Sequence, residues 1–192
     1  PLNRFFVMPS MPKYHTSNNS KKSSNEEGVS TPFRLIHHGI LAPRRGIDLL
    51  VDIISSIGSD YHLTLMGPGP SKYLTKLKLQ ASKVGNIEVK DPVPYKKIVE
   101  TLNGHDLGLI VFGSPHYHHK HMTVPNKFWE CLQARVPVLV STDSAMADLV
   151  RDSGCGIVPE SATLEGYVTA IKSLTRQDIL TMKARCEAAA WN

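Results

Sequence analysis

The chain has 192 residues, 41% of them hydrophobic and 20% charged, and a net charge of +5 from 22 basic against 17 acidic residues. This length suits one full domain plus a short extra piece, and the composition excludes wholesale disorder. Three cysteines are too few for a disulfide framework and fit a reducing setting, while the longest apolar stretch, 107–112, is far too short to span a membrane.

Residues 1–32 show no sustained period. Arg4-Phe-Phe-Val-Met-Pro-Ser-Met-Pro-Lys-Tyr14 is a short extended apolar piece in which Pro9 and Pro12 block a helix, and 15–32 is rich in Ser and Asn, which predicts a flexible linker or exposed loop. The chain starts Pro-Leu-Asn-Arg, without Met or a charged-then-apolar leader, so it reads as a fragment or a processed chain. From Phe33 the pattern alternates. Short apolar runs predict strands near 33–38, 61–66, 87–90, 106–112, 137–140 and 155–158. Between the first of these, Ile47, Leu50, Val51 and Ile54 form a stripe at helical spacing, and Leu74, Leu77, Ala81 and Val84 form a second. Further helices are predicted over 95–103, 126–135, 144–152, 162–173 and 176–190, with Ser144, Ser161 or Thr163, and Thr175 as N-caps. Strands alternating with helices predict an α/β domain over 33–192, with an open parallel six-stranded sheet and helices on both faces.

Such a sheet binds ligands beyond the C-terminal ends of its strands. The first of those loops is Gly39-Ile-Leu-Ala-Pro-Arg-Arg-Gly46. Arg44 and Arg45 precede a helix start, where the dipole and free N–H groups favour an anion. They can equally be solvated surface side chains. In the second loop, Gly67 and Gly69 leave room for a ligand near the backbone, or simply form the turn; a third glycine is lacking, so NAD binding is not supported. His116, His118, His119 and His121 crowd a later loop without a carboxylate or cysteine, which fits a mobile polar loop better than a metal site. Pro125 then opens a helix on which Asn126 and Lys127 face a potential phosphate. Glu130 lies one turn on, able to reach the same cleft as a bidentate partner for vicinal hydroxyls, or to serve only as a dipole partner, while Phe128, Cys131 and Leu132 face the core. No GxSxG, P-loop, HExxH or CxxC motif occurs.

Taken in order, these pieces resemble the C-terminal half of a GT-B glycosyltransferase of the family 4, or group 1, type. The resemblance runs from about Phe33 to Asn192 and rests on Gly39 with Arg45-Gly46, Leu65-Met-Gly67-Pro-Gly69, the turn ending at Val93, Asp106-Leu-Gly-Leu-Ile-Val111, and Pro125-Asn-Lys-Phe-Trp-Glu130 running to Ala134-Arg-Val-Pro137-Val-Leu-Val-Ser141. The last block is close to the family's PNKxxExxxAGxPVxxS, with Arg135 in place of its glycine. The resemblance implies a Rossmann-like donor-binding domain over 33–192, entered through an interdomain segment within 1–32, with the N-terminal acceptor domain lying outside this chain. It implies a retaining, metal-independent hexosyltransferase that needs no cofactor. The donor is a nucleotide sugar such as a UDP- or GDP-sugar, the acceptor a glycan or lipid-linked molecule, and the setting bacterial surface polysaccharide synthesis. The isolated chain would be nearly inactive.

By resemblance, Arg45 and Glu130 carry the catalytic roles, on the diphosphate and the ribose. Gly39, Arg44, Gly67, Gly69, Val93, Asn126 and Lys127 bind the donor, and no residue binds metal. The full-length enzyme would be cytoplasmic, at the inner membrane face where it associates peripherally. Two positions depart from the family. Met122 stands where a second carboxylate is frequent, and Ile40 where an arginine often follows the first glycine. The alternatives are a non-catalytic Rossmann-like nucleotide-binding module and half of a GT-B nucleotide-sugar epimerase. A nucleic-acid binder would need a basic stripe with stacking aromatics, and the sequence has neither.

Overall fold

The computed structural model describes residues 31–112 and 124–190. Six strands, β1 (Phe33–His38), β2 (Tyr61–Met66), β3 (Ile87–Lys90), β4 (Leu107–Ile110), β5 (Val138–Val140) and β6 (Gly156–Ile157), form one sheet in the order β3-β2-β1-β4-β5-β6. Every pairing is parallel. Successive side chains on a strand point to opposite faces, and the burial follows that rule. Leu35, Leu63, Leu65, Leu109 and Leu139 join one apolar cluster, whereas Ile36, Met66, Ile110, Val138 and Val140 join another.

Among the described residues, seven α-helices cover the two faces. They are α1 (Ile47–Ile57), α2 (Ser71–Val84), α3 (Ile98–Leu102), α4 (Asn126–Gln133), α5 (Ala145–Ser153), α6 (Leu164–Lys172) and α7 (Arg176–Ala190). α1, α2 and α6 supply Ile47, Leu50, Leu77 and Tyr167 to the first cluster; α3, α4, α5 and α7 supply Leu102, Phe128, Met146 and Cys186 to the second. The α1 stripe is buried along its whole length, because a helix beneath a parallel sheet must hide a wide apolar face. Cys131, Cys155 and Cys186 are all free and buried, acting as small apolar side chains. Among the described residues no helix is long and apolar enough to cross a membrane.

The elements differ from expectation at their ends. Residues 95–103 give only a 3-10 turn, Tyr95–Lys97, followed by the single-turn α3, since Ile98, Val99 and Leu102 are its only inward positions. The apolar run at 106–112 leaves the ladder after Ile110, and the Phe112 N–H donates instead to Ser141 Oγ at 2.9 Å. Thr163 caps α6 by accepting from the Gly166 N–H at 3.1 Å. Thr175 and Asp178 exchange side-chain-to-backbone hydrogen bonds at the start of α7, a capping box with aspartate in the acidic position. Ser144 occupies the cap position of α5, but its buried hydroxyl donates to the Ser141 carbonyl at 2.8 Å rather than capping the helix.

At the edge opposite the strand C-termini, Asp106 ties three segments together. Its Oδ2 accepts from the Arg34 N–H at 2.8 Å and from Arg176 at 3.0 Å, and Lys183 lies 3.8 Å from Oδ1. The Arg176 guanidinium stacks 3.8 Å above the Phe33 ring, so α7 is fixed to β1 as well as to β4. Arg135, which replaces the family's glycine, has φ 56. That left-handed conformation explains why glycine suits the position, and Arg135 is held there by a bond to the Gln133 carbonyl and an ion pair with Glu187 at 3.5 Å.

A Cβ at Gly67 would sit 1.8 Å from the Gly39 carbonyl oxygen, whereas a Cβ at Gly104 would meet nothing within 4 Å. Gly67→Ala should therefore cost about 2–3 kcal/mol, and Gly104→Ala less than about 0.5 kcal/mol, in chemical denaturation. At Arg135, the β-branched Arg135→Val should be less stable than Arg135→Gly by about 1–2 kcal/mol, because only the valine resists positive φ.

Candidate functional site

The strand order reverses between β1 and β4: the chain leaves β1 toward β2 and β3, and leaves β4 toward β5 and β6. Connections that depart in opposite directions leave a crevice at the C-terminal ends of these two strands. A cleft of about 390 Å³ lies there. One wall is the loop after β1, with His38, Gly39, Ile40, Arg44 and Arg45; the floor is Ile110 to Phe112; the other wall is the start of α4, with Asn126, Lys127 and Glu130.

The first loop owes its shape to the second. The Gly39 N–H donates to the Met66 carbonyl at 2.9 Å, and the Leu41 N–H to the Pro68 carbonyl at 2.8 Å, so the two loops run side by side beyond the ladder. Cβ atoms at Gly67 and Gly69 would fall 1.8 and 2.1 Å from the carbonyl oxygens of Gly39 and Leu41. The room these glycines leave is thus filled by backbone, not left open to a ligand. Gly67 and Gly69 lie outside the cleft lining and act on it by placing Gly39 to Leu41. Val93 also lies outside the lining, with its side chain packed on the cluster of Ile36, Met66 and Leu102. The other expected residues, Gly39, Arg44, Arg45, Asn126, Lys127 and Glu130, come together in the cleft. Met122 and the histidine-rich tract at 116–121 lie outside the described residues.

The charges in the cleft are unequal: Arg44, Arg45 and Lys127 against Glu130. Both arginines are exposed, free to turn toward a bound anion. Pro125 offers no side-chain cap to α4, and Pro125, Asn126 and Lys127 at the start of that helix line the cleft. Lys127 is half-buried with its ammonium under Gly39, where a Cβ on that glycine would approach Nζ to 3.2 Å. Burial pulls its pKa down to about 8; Arg45 pulls the same way, and Cys131 and Glu130 oppose it.

Two residues that the sequence reading passed over as the end of a strand complete the site. His37 is buried, and its Nδ1–H donates to the Leu109 carbonyl at 2.8 Å. That leaves Nε2 as an acceptor, 3.4 Å from Lys127 Nζ. Burial and the neighbouring ammonium hold the His37 pKa well below the usual histidine range, so the ring is neutral. His38 is buried too, and its Nε2–H donates to Glu130 Oε2 at 2.7 Å. Their sequence signal was position: two polar rings at the C-terminal end of an otherwise apolar central strand, where the fold places ligands.

A family profile for glycosyl transferases group 1 matches residues 32–177. A search of curated protein sequences gave no match. Among solved structures, WaaG, a glycosyltransferase involved in lipopolysaccharide biosynthesis, is similar with a TM-score of 0.68 and 18% identity over 84% of this chain and 43% of WaaG. Anabaena HepE, solved with UDP and glucose, is similar with a TM-score of 0.66 and 16% identity over 83% of this chain and 44% of HepE. The catalytic domain of the cholesterol-alpha-glucosyltransferase of Helicobacter pylori gives a TM-score of 0.63 and 18% identity over 84% of this chain and 99% of that domain. The chain thus spans less than half the length of WaaG and HepE. At these identities the neighbours bear on the fold, and the profile match bears on the family: the chain belongs to the glycosyl transferases group 1.

Proposed function

We propose that the chain is the donor-binding half of a retaining, metal-independent glycosyltransferase. It would move a hexose from a nucleoside diphosphate sugar to a glycan or lipid-linked acceptor in bacterial surface polysaccharide synthesis. The observation that carries this reading is the cleft, where three cations and the start of α4, which has no side-chain cap, line the same space as one buried carboxylate. A nucleoside diphosphate makes two demands: positive charge and N–H donors for its phosphates, and a carboxylate for its vicinal hydroxyls. Arg44, Arg45, Lys127 and the α4 N–H groups meet the first, and Glu130 meets the second. The UDP-glucose and UDP complexes of HepE support a nucleotide-sugar donor. The role of WaaG in lipopolysaccharide supports the polysaccharide setting, and the Helicobacter pylori enzyme supports a lipid acceptor.

In this reading Arg45 holds the diphosphate and offsets the charge that grows on the departing nucleotide, and Arg44 covers for Ile40. Lys127 and the α4 N–H groups share that load, so protein cations do the neutralising that a divalent metal does elsewhere. Gly39 keeps the loop backbone low enough for a phosphate to approach, and the Asn126 amide adds a polar contact beside it. Gly67 and Gly69 serve by supporting that loop, and Val93 by shaping the turn against which the base rests. Residues 1–32 are the interdomain segment and 33–192 the donor domain, while the N-terminal GT-B domain brings the acceptor. The full-length enzyme works on the cytoplasmic side, peripherally at the inner membrane face.

Thermal unfolding against UDP, GDP, ADP and their sugars tests the assignment. A ligand at about 100 times its Kd should stabilise by about 2.7 kcal/mol, which raises the midpoint by about 5–10 °C in a chain of this size. One nucleotide should give the shift, Glu130→Ala should lose it, and EDTA should leave it unchanged. No shift with any of them would defeat the reading.

Lys127 generates a second prediction. Its folded pKa of about 8 lies below the ordinary lysine value of 10.5. Across that window the unfolded chain binds more protons, so stability without ligand should rise with pH from about 8 upward. A bound diphosphate restores the proton. Binding of a nucleotide sugar at pH 8 should therefore take up protons, seen as a dependence of calorimetric enthalpy on buffer ionisation heat. Uptake should vanish at pH 6 and in Lys127→Met, a variant that should itself be more stable without ligand by about 1–2 kcal/mol.

A further inference from the structure

We propose that His38 is the positioning residue that sets how the cleft reads a ribose, by holding one oxygen of Glu130 and leaving the other free. This rests on the assignment of Glu130 to the ribose given above. His38 is the last residue of β1 and Glu130 lies in the first turns of α4, yet the two buried side chains meet at 2.7 Å. The contact links the two walls of the cleft, and it lies at the switch point itself.

The need for such a contact follows from the surrounding charge. Glu130 shares the cleft with Arg44, Arg45 and Lys127, and Lys127 is three residues before it on the same helix, a spacing at which side chains meet. A carboxylate free to rotate would pair with one of these cations. That pair would remove both the acceptor for the hydroxyls and a positive charge meant for the phosphates. An imidazole N–H on Oε2 fixes the plane of the carboxylate and occupies one of its roughly four acceptor positions, which leaves Oε1 and the remaining lone pair of Oε2 for two adjacent hydroxyls. His38 is well suited to this because its own place is fixed by the strand: its backbone is paired in register with Met66. The preference for ribose over deoxyribose is therefore set partly by a residue that need not touch the sugar.

The experiment compares calorimetric affinities for UDP, GDP and ADP with those for their 2′-deoxy forms, in the wild-type chain and in Glu130→Gln, His38→Gln and His38→Asn. A glutamine amide reaches the position of imidazole Nε2, whereas an asparagine amide ends near Nδ1, short of Glu130. Both are polar, and thermal unfolding establishes that each variant folds. The wild type should favour the ribonucleotide by about 10- to 100-fold, as expected for a hydrogen bond to a charged group. Glu130→Gln should remove most of that preference. His38→Asn should reduce it about tenfold while leaving the deoxynucleotide affinity within about threefold, and His38→Gln should retain most of it. A purely structural histidine would lower both affinities together. An unchanged preference in His38→Asn, with the preference lost in Glu130→Gln, would overturn the role of His38 alone. A preference that survives Glu130→Gln would overturn the ribose assignment and this inference with it.

Discussion

Gly67 lies so close to the carbonyl of Gly39 that no side-chain atom fits between them. Much of the site depends on this contact. It lets the loop after β2 run directly against the loop after β1, with Gly39 and Leu41 bonded to Met66 and Pro68 as though the ladder continued. The first loop is thereby held low, Gly39 comes to rest on the Lys127 ammonium, and Arg44 and Arg45 emerge at the mouth of the cleft. Backbone contacts between the two loops fix where the main chain of the first loop runs, and so where Arg44 and Arg45 leave it, while their exposed side chains stay free to turn.

The opposite end of the sheet is built on a different principle. There the Asp106 carboxylate gathers the Arg34 N–H, Arg176 and Lys183. A carboxylate with several donors is satisfied, so the arrangement stabilises without offering a place for a ligand. In the cleft the balance is reversed, with positive charge in excess of its partners. The Asp106 carboxylate is thus matched from within the domain, whereas the three cations of the cleft outnumber its one carboxylate.

Much of the architecture was legible because it depends on local pattern. The stripe from Ile47 to Ile57 and the apolar runs at the strands specify their elements regardless of what lies across the core. Element ends were less legible, as at α3 and after Ile110, where pairing partners rather than composition decide the boundary. The residues on the cleft walls were legible from their place in loops and at helix starts. The contacts among them were not. His38 meets Glu130 across 92 positions of sequence, and nothing near either residue announces the other. The glycines of the second loop were readable only as room for a ligand beside the backbone or as a turn, because what fills that room, the Gly39 carbonyl, is brought there by the sheet order. Arg135 shows the reverse case: the family's glycine marks a left-handed position, and this chain keeps the conformation without the glycine.

The two histidines at the end of β1 give the cleft its electrical character. A site for a diphosphate needs excess positive charge, but half-buried cations resist burial and seek any carboxylate in reach. His37 offers Lys127 an acceptor without charge, since its ring is neutral and its other nitrogen is committed to the Leu109 carbonyl. Lys127 therefore has a hydrogen-bond partner that does not cancel its charge. His38 offers Glu130 a donor, which reduces the pull of the carboxylate toward the same lysine. Adjacent residues on one strand thus keep an acid and a base of neighbouring helical turns from neutralising each other. The Lys127 ammonium thus keeps its charge beneath Gly39 in the cleft, with a neutral ring rather than a carboxylate as its hydrogen-bond partner.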